Sequence, residues 1–200
     1  MITFYLVRHG NKEAIPFDPP LTKVGVKQAA VTAQYLKQIS FKAIITSPKL
    51  RTVQTAQAIA SPLALEVITD ERLTERMEWE NKESFDEFIA EWSKTDNDRN
   101  FQPKTGASST AKGVIMKKVV DELTSKHKDG NVLIVTHGGS IGDLLRHIFE
   151  TDTIPHVVDP VTNAPHILIS ECSITVIKNN DNEFTLTKLN NTSHLLDPSV

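Results

Sequence analysis

A three-layer α/β sandwich, with helices on both faces of a mostly parallel sheet, is the fold that this sequence predicts. Three apolar segments rich in β-branched residues, at 2–7, 43–46 and 132–136, have the composition of buried strands. Each is followed by a segment whose apolar residues recur at helical spacing. Strands that alternate with helices favour a parallel sheet covered on both faces.

Four helices are predicted between and after these strands. Thr22 is a candidate N-cap for the first helix, and Pro48 suits the first turn of the second. The third spans 111–127, and the fourth runs from Ser140 to Phe149. The apolar positions of the first two helices are Val26, Ala29, Ala30, Ala33 and Leu36, then Leu50, Val53, Ala56 and Ile59.

The C-terminal part of the chain predicts an antiparallel hairpin at one edge of the sheet. Residues 166–177 and 183–189 have strand composition, and a polar turn at 179–181 joins them. Cys172 falls inside the first of these strands, where we expect a small buried hydrophobe.

The segment 76–107 interrupts the alternation of strands and helices. Phe85, Phe88, Ile89 and Trp92 lie at i, i+3, i+4 and i+7, so part of the segment is predicted to be an amphipathic helix. Its aromatic face either packs on the main sheet or caps a binding pocket. We therefore expect one domain over residues 1–200, with 76–107 as a cap insertion.

Composition limits the classes of partner and compartment. The formal net charge of −3 provides no basic surface for nucleic acid or for an anionic membrane. No apolar run approaches the roughly 20 residues that span a bilayer, and the N-terminus does not resemble a secretory signal. The single cysteine agrees with a reducing compartment. We expect a cytoplasmic protein.

Two histidines and two arginines are predicted to meet at one edge of the sheet. The first strand runs into Arg8-His9-Gly10, and the strand 132–136 runs into His137-Gly138-Gly139. The second strand leads through Ser47 to Arg51 at the start of its helix. Ligands of open α/β sheets bind outside the carboxyl ends of the strands. Guanidinium groups and helix N-termini at such a place are suited to a phosphate.

Five segments of the chain resemble, in order and spacing, the motifs of the histidine phosphatase (phosphoglycerate mutase-like) superfamily. The resemblance covers about residues 2–149. The segments are LVRHG ending at Gly10, PLTKVGVKQA at 20–29, SPKLRTVQTA at 47–56, LTER at 73–76 and VTHGG at 135–139.

This resemblance implies a phosphatase that forms a phosphohistidine and needs no metal or other cofactor. His9 is implied to be the nucleophile, and Glu75 the proton donor. The phosphate pocket is implied to consist of Arg8, Arg51 and His137, with Gly138 beside it. Its substrate is expected to be a small phosphorylated molecule, and the protein a monomer or a homodimer.

The chain departs from the family pattern at three places, of which the first is Asn11-Lys12 after Gly10, where many members have an acidic or amide residue followed by Ser or Thr. Ile15 stands where many members have an asparagine that contacts the phosphate, and Asn11 is the candidate replacement. Ala107 replaces a frequent acidic residue. After LTER, Met77-Glu78-Trp79 stands where cofactor-dependent phosphoglycerate mutases generally have His-Tyr-Gly. The last difference favours hydrolysis over a mutase reaction. A non-catalytic phosphate- or phosphoprotein-binding module is the remaining alternative.

Overall fold

A six-stranded mixed sheet with helices on both faces forms the centre of the protein. The computed structural model describes residues 1–80, 82–149, 153–158 and 163–196. The strands of the main sheet are β1 (Ile2–Arg8), β2 (Phe41–Thr46), β3 (Val67–Thr69), β4 (Gly130–Thr136), β7 (Ile174–Asn180) and β8 (Glu183–Asn191). The helices are α1 (Lys23–Leu36), α2 (Leu50–Ala60), α3 (Phe85–Asn97), α4 (Ser109–His127) and α5 (Gly138–Ile148).

The order of the strands is β3-β2-β4-β1-β7-β8. The first four strands in that order are parallel. Strand β7 pairs antiparallel with β1, and β8 pairs antiparallel with β7. Two short strands, β5 (Val157–Val158) and β6 (Pro165–His166), pair separately. The predicted parallel sheet with an antiparallel hairpin is confirmed.

Alternating side chains of the central strands enter two separate hydrophobic layers. Phe4, Leu6 and Ile134 pack with residues of α4 and α5 on one face. Val7, Leu133 and Val135, with residues of α1 and α2, form the layer on the other face. Period-two alternation therefore separates the two faces, as expected for a sheet covered on both sides.

The helices begin close to their predicted positions. The Thr22 hydroxyl accepts the N–H of Gly25, which confirms the N-cap of α1. Ser108 caps α4 in the same way through the N–H of Ala111, so this helix begins two residues earlier than expected. The predicted apolar faces were partly wrong, because Val26, Ala30 and Leu50 are exposed.

The predicted strand 166–177 is wrong in its middle. Strand β6 ends at His166, and β7 begins only at Ile174. Cys172 lies between them with φ of 52° and is buried, and its N–H points to the carbonyl oxygens of Arg8 and His9. The turn after β7 lies at Asp181-Asn182, where both residues have positive φ, as in a two-residue hairpin.

Candidate active site

Three parallel strands end side by side and place the predicted histidines together. The N–H of His9 donates to the carbonyl of Thr136 at 3.0 Å, immediately before His137. The N–H of Ser47 donates to Val135 at 3.1 Å. The imidazole rings of His9 and His137 lie 5.3 Å apart, edge to face. The predicted convergence of the two strand ends is therefore what the structure contains.

The tautomer of His9 follows from its backbone contact, and its charge follows from burial and the neighbouring arginines. Its Nδ1 lies 2.7 Å from the carbonyl oxygen of Gly10, which can only accept a hydrogen bond. Nδ1 therefore carries the proton, and Nε2 has a free lone pair. Burial, together with the charges of Arg8 and Arg51, holds the pKa of His9 well below its ordinary value. His9 is thus neutral at neutral pH.

His137 is fixed in the opposite tautomer. The Arg51 Nη2 lies 3.1 Å from Nδ1 of His137, and a guanidinium can only donate. The other ring nitrogen, Nε2, therefore donates to the Ser47 hydroxyl at 2.9 Å. Burial and the adjacent Arg51 lower the pKa of His137 well below its ordinary value, so this ring is also neutral.

Two buried guanidinium groups beside the histidines have unused donors. The Arg8 Nη1 donates to the carbonyl of Ile169 at 2.7 Å. Among the described residues, Nε of Arg8 and both Nε and Nη1 of Arg51 have no hydrogen-bond partner, although they are buried. Buried donors without partners are costly, so their convergence next to His9 forms a site prepared for an anion.

Glu75 is held at the N-terminus of α5. Its Oε2 accepts the N–H of Gly139 at 3.0 Å, and its Oε1 accepts from the Ser140 hydroxyl and the N–H of Arg76, both at 3.0 Å. Together with the unpaired ends of the backbone at a helix N-terminus, these contacts fix the carboxylate beside the histidines.

A cavity of about 550 Å³ opens above these groups. His9, Arg8, Arg51, Glu75 and His137 all contribute to its polar end, together with Gly138. Another part of the lining is largely apolar and is formed in part by α3. Its lining side chains include Ile15, Phe17, Trp79, Phe85, Phe88, Ile89, Trp92 and Leu168.

Four aromatic residues of 76–107 line this cavity, namely Trp79, Phe85, Phe88 and Trp92. Successive ring centroids from Trp79 through Phe85 and Phe88 to Trp92 lie 5.1, 6.3 and 6.1 Å apart. Their place in the lining agrees with the second alternative for this segment, and its role as a cap stays a prediction. We call these four side chains the aromatic wall.

Asn11, the candidate replacement for the missing asparagine, has other partners. Its amide nitrogen donates to the Glu171 carboxylate at 3.0 Å, and its amide oxygen accepts from Thr22 at 2.7 Å. Asn11 is not among the described residues that line the cavity, whereas Lys12 and Ile15 are. Its role as a phosphate ligand stays a prediction that this arrangement does not favour.

Two groups near the histidines had no role in the sequence-based expectations, although Arg76 is the last residue of the LTER motif. Glu78 forms an ion pair with Arg51, at 2.7 Å between Oε1 and Nη2. Arg76 is buried and pairs with Asp96 of α3 and with Asp143 of α5, the latter at 2.9 Å. Burial raises the pKa of Asp143 to about 6 in spite of Arg76. No local sequence pattern indicates these ion pairs, because the partners are far apart in the chain.

The described residues contain no group of three or more His, Cys, Asp or Glu side chains that could hold a metal ion. Nor does any helix in the described ranges have the length and apolar character needed to cross a bilayer. The expectations of metal-independent chemistry and of a cytoplasmic location stay predictions.

The family of the chain follows from comparison with known proteins. A family model described as histidine phosphatase superfamily (branch 1) matches residues 4–192. The chain belongs to this superfamily. The resemblance seen in the five motifs is therefore confirmed, and the match extends beyond them through β7 and β8.

Named relatives of this histidine phosphatase superfamily member include both mutases and phosphatases. A probable phosphoglycerate mutase, GpmB, of Yersinia pestis is 31% identical over 158 residues, which cover 72% of this chain and 74% of the relative. The structure of Bacillus stearothermophilus YhfR is similar with a TM-score of 0.76 and 25% identity, covering 98% of this chain and 100% of that one.

A third similar structure confirms the fold. Phosphoserine phosphatase from Entamoeba histolytica, in complex with 3-phosphoglyceric acid, has a TM-score of 0.78 and 24% identity. The match covers 98% of this chain and 100% of that chain. The mixed α/β architecture is thus the one that solved members of the superfamily share.

Proposed function

We propose that this protein is a phosphomonoesterase that hydrolyses a small phosphorylated substrate through a phosphohistidine on His9. The observation that carries the proposal is the neutral His9, whose unprotonated Nε2 lies beside unpaired donors of Arg8 and Arg51. A nucleophile without a proton to lose and fixed positive charge for the phosphoryl oxygens are what in-line phosphoryl transfer requires.

The first step forms a bond between Nε2 of His9 and phosphorus while the bond from phosphorus to the ester oxygen breaks. The departing oxygen takes a proton from the carboxyl group of Glu75. Arg8 and Arg51 stabilise the negative charge on the three remaining oxygens, with Gly138 close to them. His137, whose single N–H is donated to Ser47, contributes to the phosphate pocket by holding Nη2 of Arg51 through its Nδ1. Arginines remain charged at every physiological pH, so the pocket itself supplies the positive charge.

The second step returns the enzyme to its starting state. A water molecule takes the place of the departed alcohol, gives a proton to the Glu75 carboxylate and attacks phosphorus. The bond from phosphorus to Nε2 breaks, and inorganic phosphate leaves. Proton transfer by a positioned carboxyl group typically contributes ~10²–10⁴-fold to such a reaction.

The aromatic wall is proposed to bind the alcohol part of the substrate. It lines the same cavity as His9, and Phe85 keeps an exposed fraction of 51% although it lines that cavity. Exposed aromatic surface at a cavity mouth binds apolar groups. The segment 76–107 would then be a cap insertion in one domain of residues 1–200.

A phosphoglycerate mutase reaction is the second candidate, because the Yersinia relatives carry that name. A mutase must hold a carboxylate or second phosphate besides the transferred group. Arg76 and Arg146, which also line the cavity, lie within 4.0 Å of the carboxylates of Asp96 and Asp143 and are occupied by them. The carboxylate of Glu78 adds negative charge beside Arg51. These features favour hydrolysis.

The deciding experiment is hydrolysis of p-nitrophenyl phosphate in excess EDTA by the wild type and by His9→Ala. We expect metal-independent turnover that the substitution abolishes, and a phosphoenzyme trapped by acid quench only in the wild type. Turnover that survives in His9→Ala would sink the proposal. Absence of turnover in a folded wild type, with exchange of phosphoryl groups between phosphoglycerates, would favour the mutase; phosphate binding alone would favour a binding module.

A further inference from the structure

One nitrogen of Arg51 is already bonded to an internal anion. Its Nη2 lies 2.7 and 3.0 Å from the two carboxylate oxygens of Glu78, and 3.1 Å from Nδ1 of His137. An Nη nitrogen has two hydrogens, so both are in use. Arg51 and Glu78 are the two members of a largely buried ion pair, with side-chain exposures of 3% and 17%.

Because of the geometry of a guanidinium group, the hydrogen bonds already made by Nη2 limit how Arg51 can bind a second anion. A carboxylate or phosphate binds it most strongly by two parallel hydrogen bonds. Of its edges, only Nε with Nη2 and Nη1 with Nη2 present two hydrogens to one ligand, since Cδ blocks the third edge. Both edges contain Nη2. Nε of Arg51 has no hydrogen-bond partner, and Nη1 has only an ion pair with Asp18 at 3.7 Å. Neither nitrogen can give a phosphate a two-point contact while Glu78 stays bound to Nη2.

We propose that the carboxylate of Glu78 competes with the substrate for Arg51. A phosphoryl group must displace this carboxylate before Arg51 can bind its oxygens by two hydrogen bonds. This inference rests on the proposed role of Arg51 as a phosphate ligand. Glu78 thus acts on the affinity for the phosphoryl group, and it takes no part in the bond changes at phosphorus.

The position of Glu78 allows that displacement. It lies in the segment between the 3₁₀ turn at Glu71–Leu73 and α3, outside any helix or strand. Burial raises the pKa of its carboxyl group, while Arg51 and Lys49 oppose the shift. The carboxylate thus regains hydration when it moves outward, and Lys49 at the start of α2 attracts it there.

The consequence is a weak hold on free phosphate. Both an ester and inorganic phosphate must displace Glu78, at the same cost in binding free energy. Only an ester also places an alcohol group against the aromatic wall, which offsets that cost. Inorganic phosphate, the product of hydrolysis, has no such second contact and is therefore held weakly.

The test is calorimetric binding of inorganic phosphate to the wild type, Glu78→Gln and Glu80→Gln. Glu80 carries the same charge two residues away and pairs with exposed Lys82, so its variant controls for net charge. We expect about tenfold tighter binding in Glu78→Gln, the effect of no longer breaking a charge-assisted hydrogen bond, and wild-type binding in Glu80→Gln.

Unchanged or weaker phosphate binding in Glu78→Gln would overturn the inference and make Glu78 a residue that merely orients Arg51. Glu78→Ala, which removes the carboxylate that Nη2 of Arg51 contacts, should tighten binding at least as much, and it decides the matter if the glutamine variant unfolds. The measurement of phosphate binding does not require catalytic turnover. Tighter binding without His9-dependent hydrolysis would leave this inference standing and remove the proposed function.

Discussion

The carboxylate of Glu75 rests on the backbone of Gly139, whose N–H donates to Oε2 at 3.0 Å. A Cβ atom at residue 139 would lie 2.7 Å from Oε1 of Glu75 and 2.9 Å from the ring of Trp92. No side chain fits in that space. The position of the proposed proton donor thus depends on a residue that has no side chain.

Gly139→Ala is expected to displace Glu75 and lower kcat by about tenfold to a hundredfold, because small misplacements of reacting groups are costly. The matched control is Gly142→Ala in the same helix, where the nearest atom to an added Cβ is Cβ of Ile167 at 3.9 Å. Steady-state kinetics of both variants, with circular dichroism as the check on folding, measures the effect. Equal kcat in the two variants would contradict the assignment of Glu75.

His9 is expected to stay neutral as the pH falls through 6.5, the ordinary pKa of the side chain, because burial and two arginines oppose its protonation. In ¹⁵N NMR of the imidazole rings, we expect a protonated Nδ1 and an unprotonated Nε2 that do not change through that range. The signal is assigned by its loss in His9→Ala. A ring that titrates near 6.5 would refute the predicted state.

The same shift has a consequence for stability. The unfolded chain binds a proton at His9 near pH 6.5, whereas the folded protein does not. Since the unfolded state then holds more protons, the free energy of unfolding decreases as the pH falls below that value. Urea unfolding at several pH values should show a shallower decrease in His9→Ala.

Arg76→Ala is expected to lower the free energy of unfolding by about 3–5 kcal/mol, because it leaves Asp96 and Asp143 buried without their main counter-charge. Arg72 offers the control, since it also pairs with two carboxylates but keeps 40% of its side chain exposed. Arg72→Ala should cost no more than about 1 kcal/mol. Denaturant unfolding of both variants gives the comparison, and equal losses would show that burial does not matter here.

Trp79→Ala and Phe85→Ala are expected to change the ratio of kcat/KM between substrates. An ester with an aromatic alcohol should lose about tenfold or more relative to one with a small alcohol, because burial of an aromatic ring contributes roughly 1.5–3 kcal/mol. The comparison of 2-phenylethyl phosphate with ethyl phosphate tests this with similar leaving groups. Equal losses for both esters would indicate packing instead of selection.

The sheet and the polar end of the cavity were largely predictable from the sequence. Strands β1 and β4 are buried on both faces, so each is a continuous apolar run that ends at a polar residue. The change from apolar to polar residues at the strand ends identified His9 and His137 as candidate site residues. Arg51 was found because α2 begins directly after a strand end, where its position is limited by the first helical turn.

The remaining parts of the site depend on contacts that no local pattern contains. Glu78 meets Arg51 across 27 residues, and Arg76 meets Asp143 across 67. The break between β6 and β7 was missed because Ile167 and Ile169 alternate with more exposed residues as in a strand. The positive φ of Cys172, a conformation rare outside glycine, ends that extended run.

The place of β1 in the sheet has a consequence for protein synthesis. Leu6 pairs with Ile134 on one side and with Thr175 on the other, so β1 leaves the ribosome well before either of its neighbours in the sheet. Pairings of such long sequence separation form slowly. The strand pairing around β1, which positions His9, is therefore complete only after β7 has emerged. The proposed nucleophile is synthesised long before its site can form.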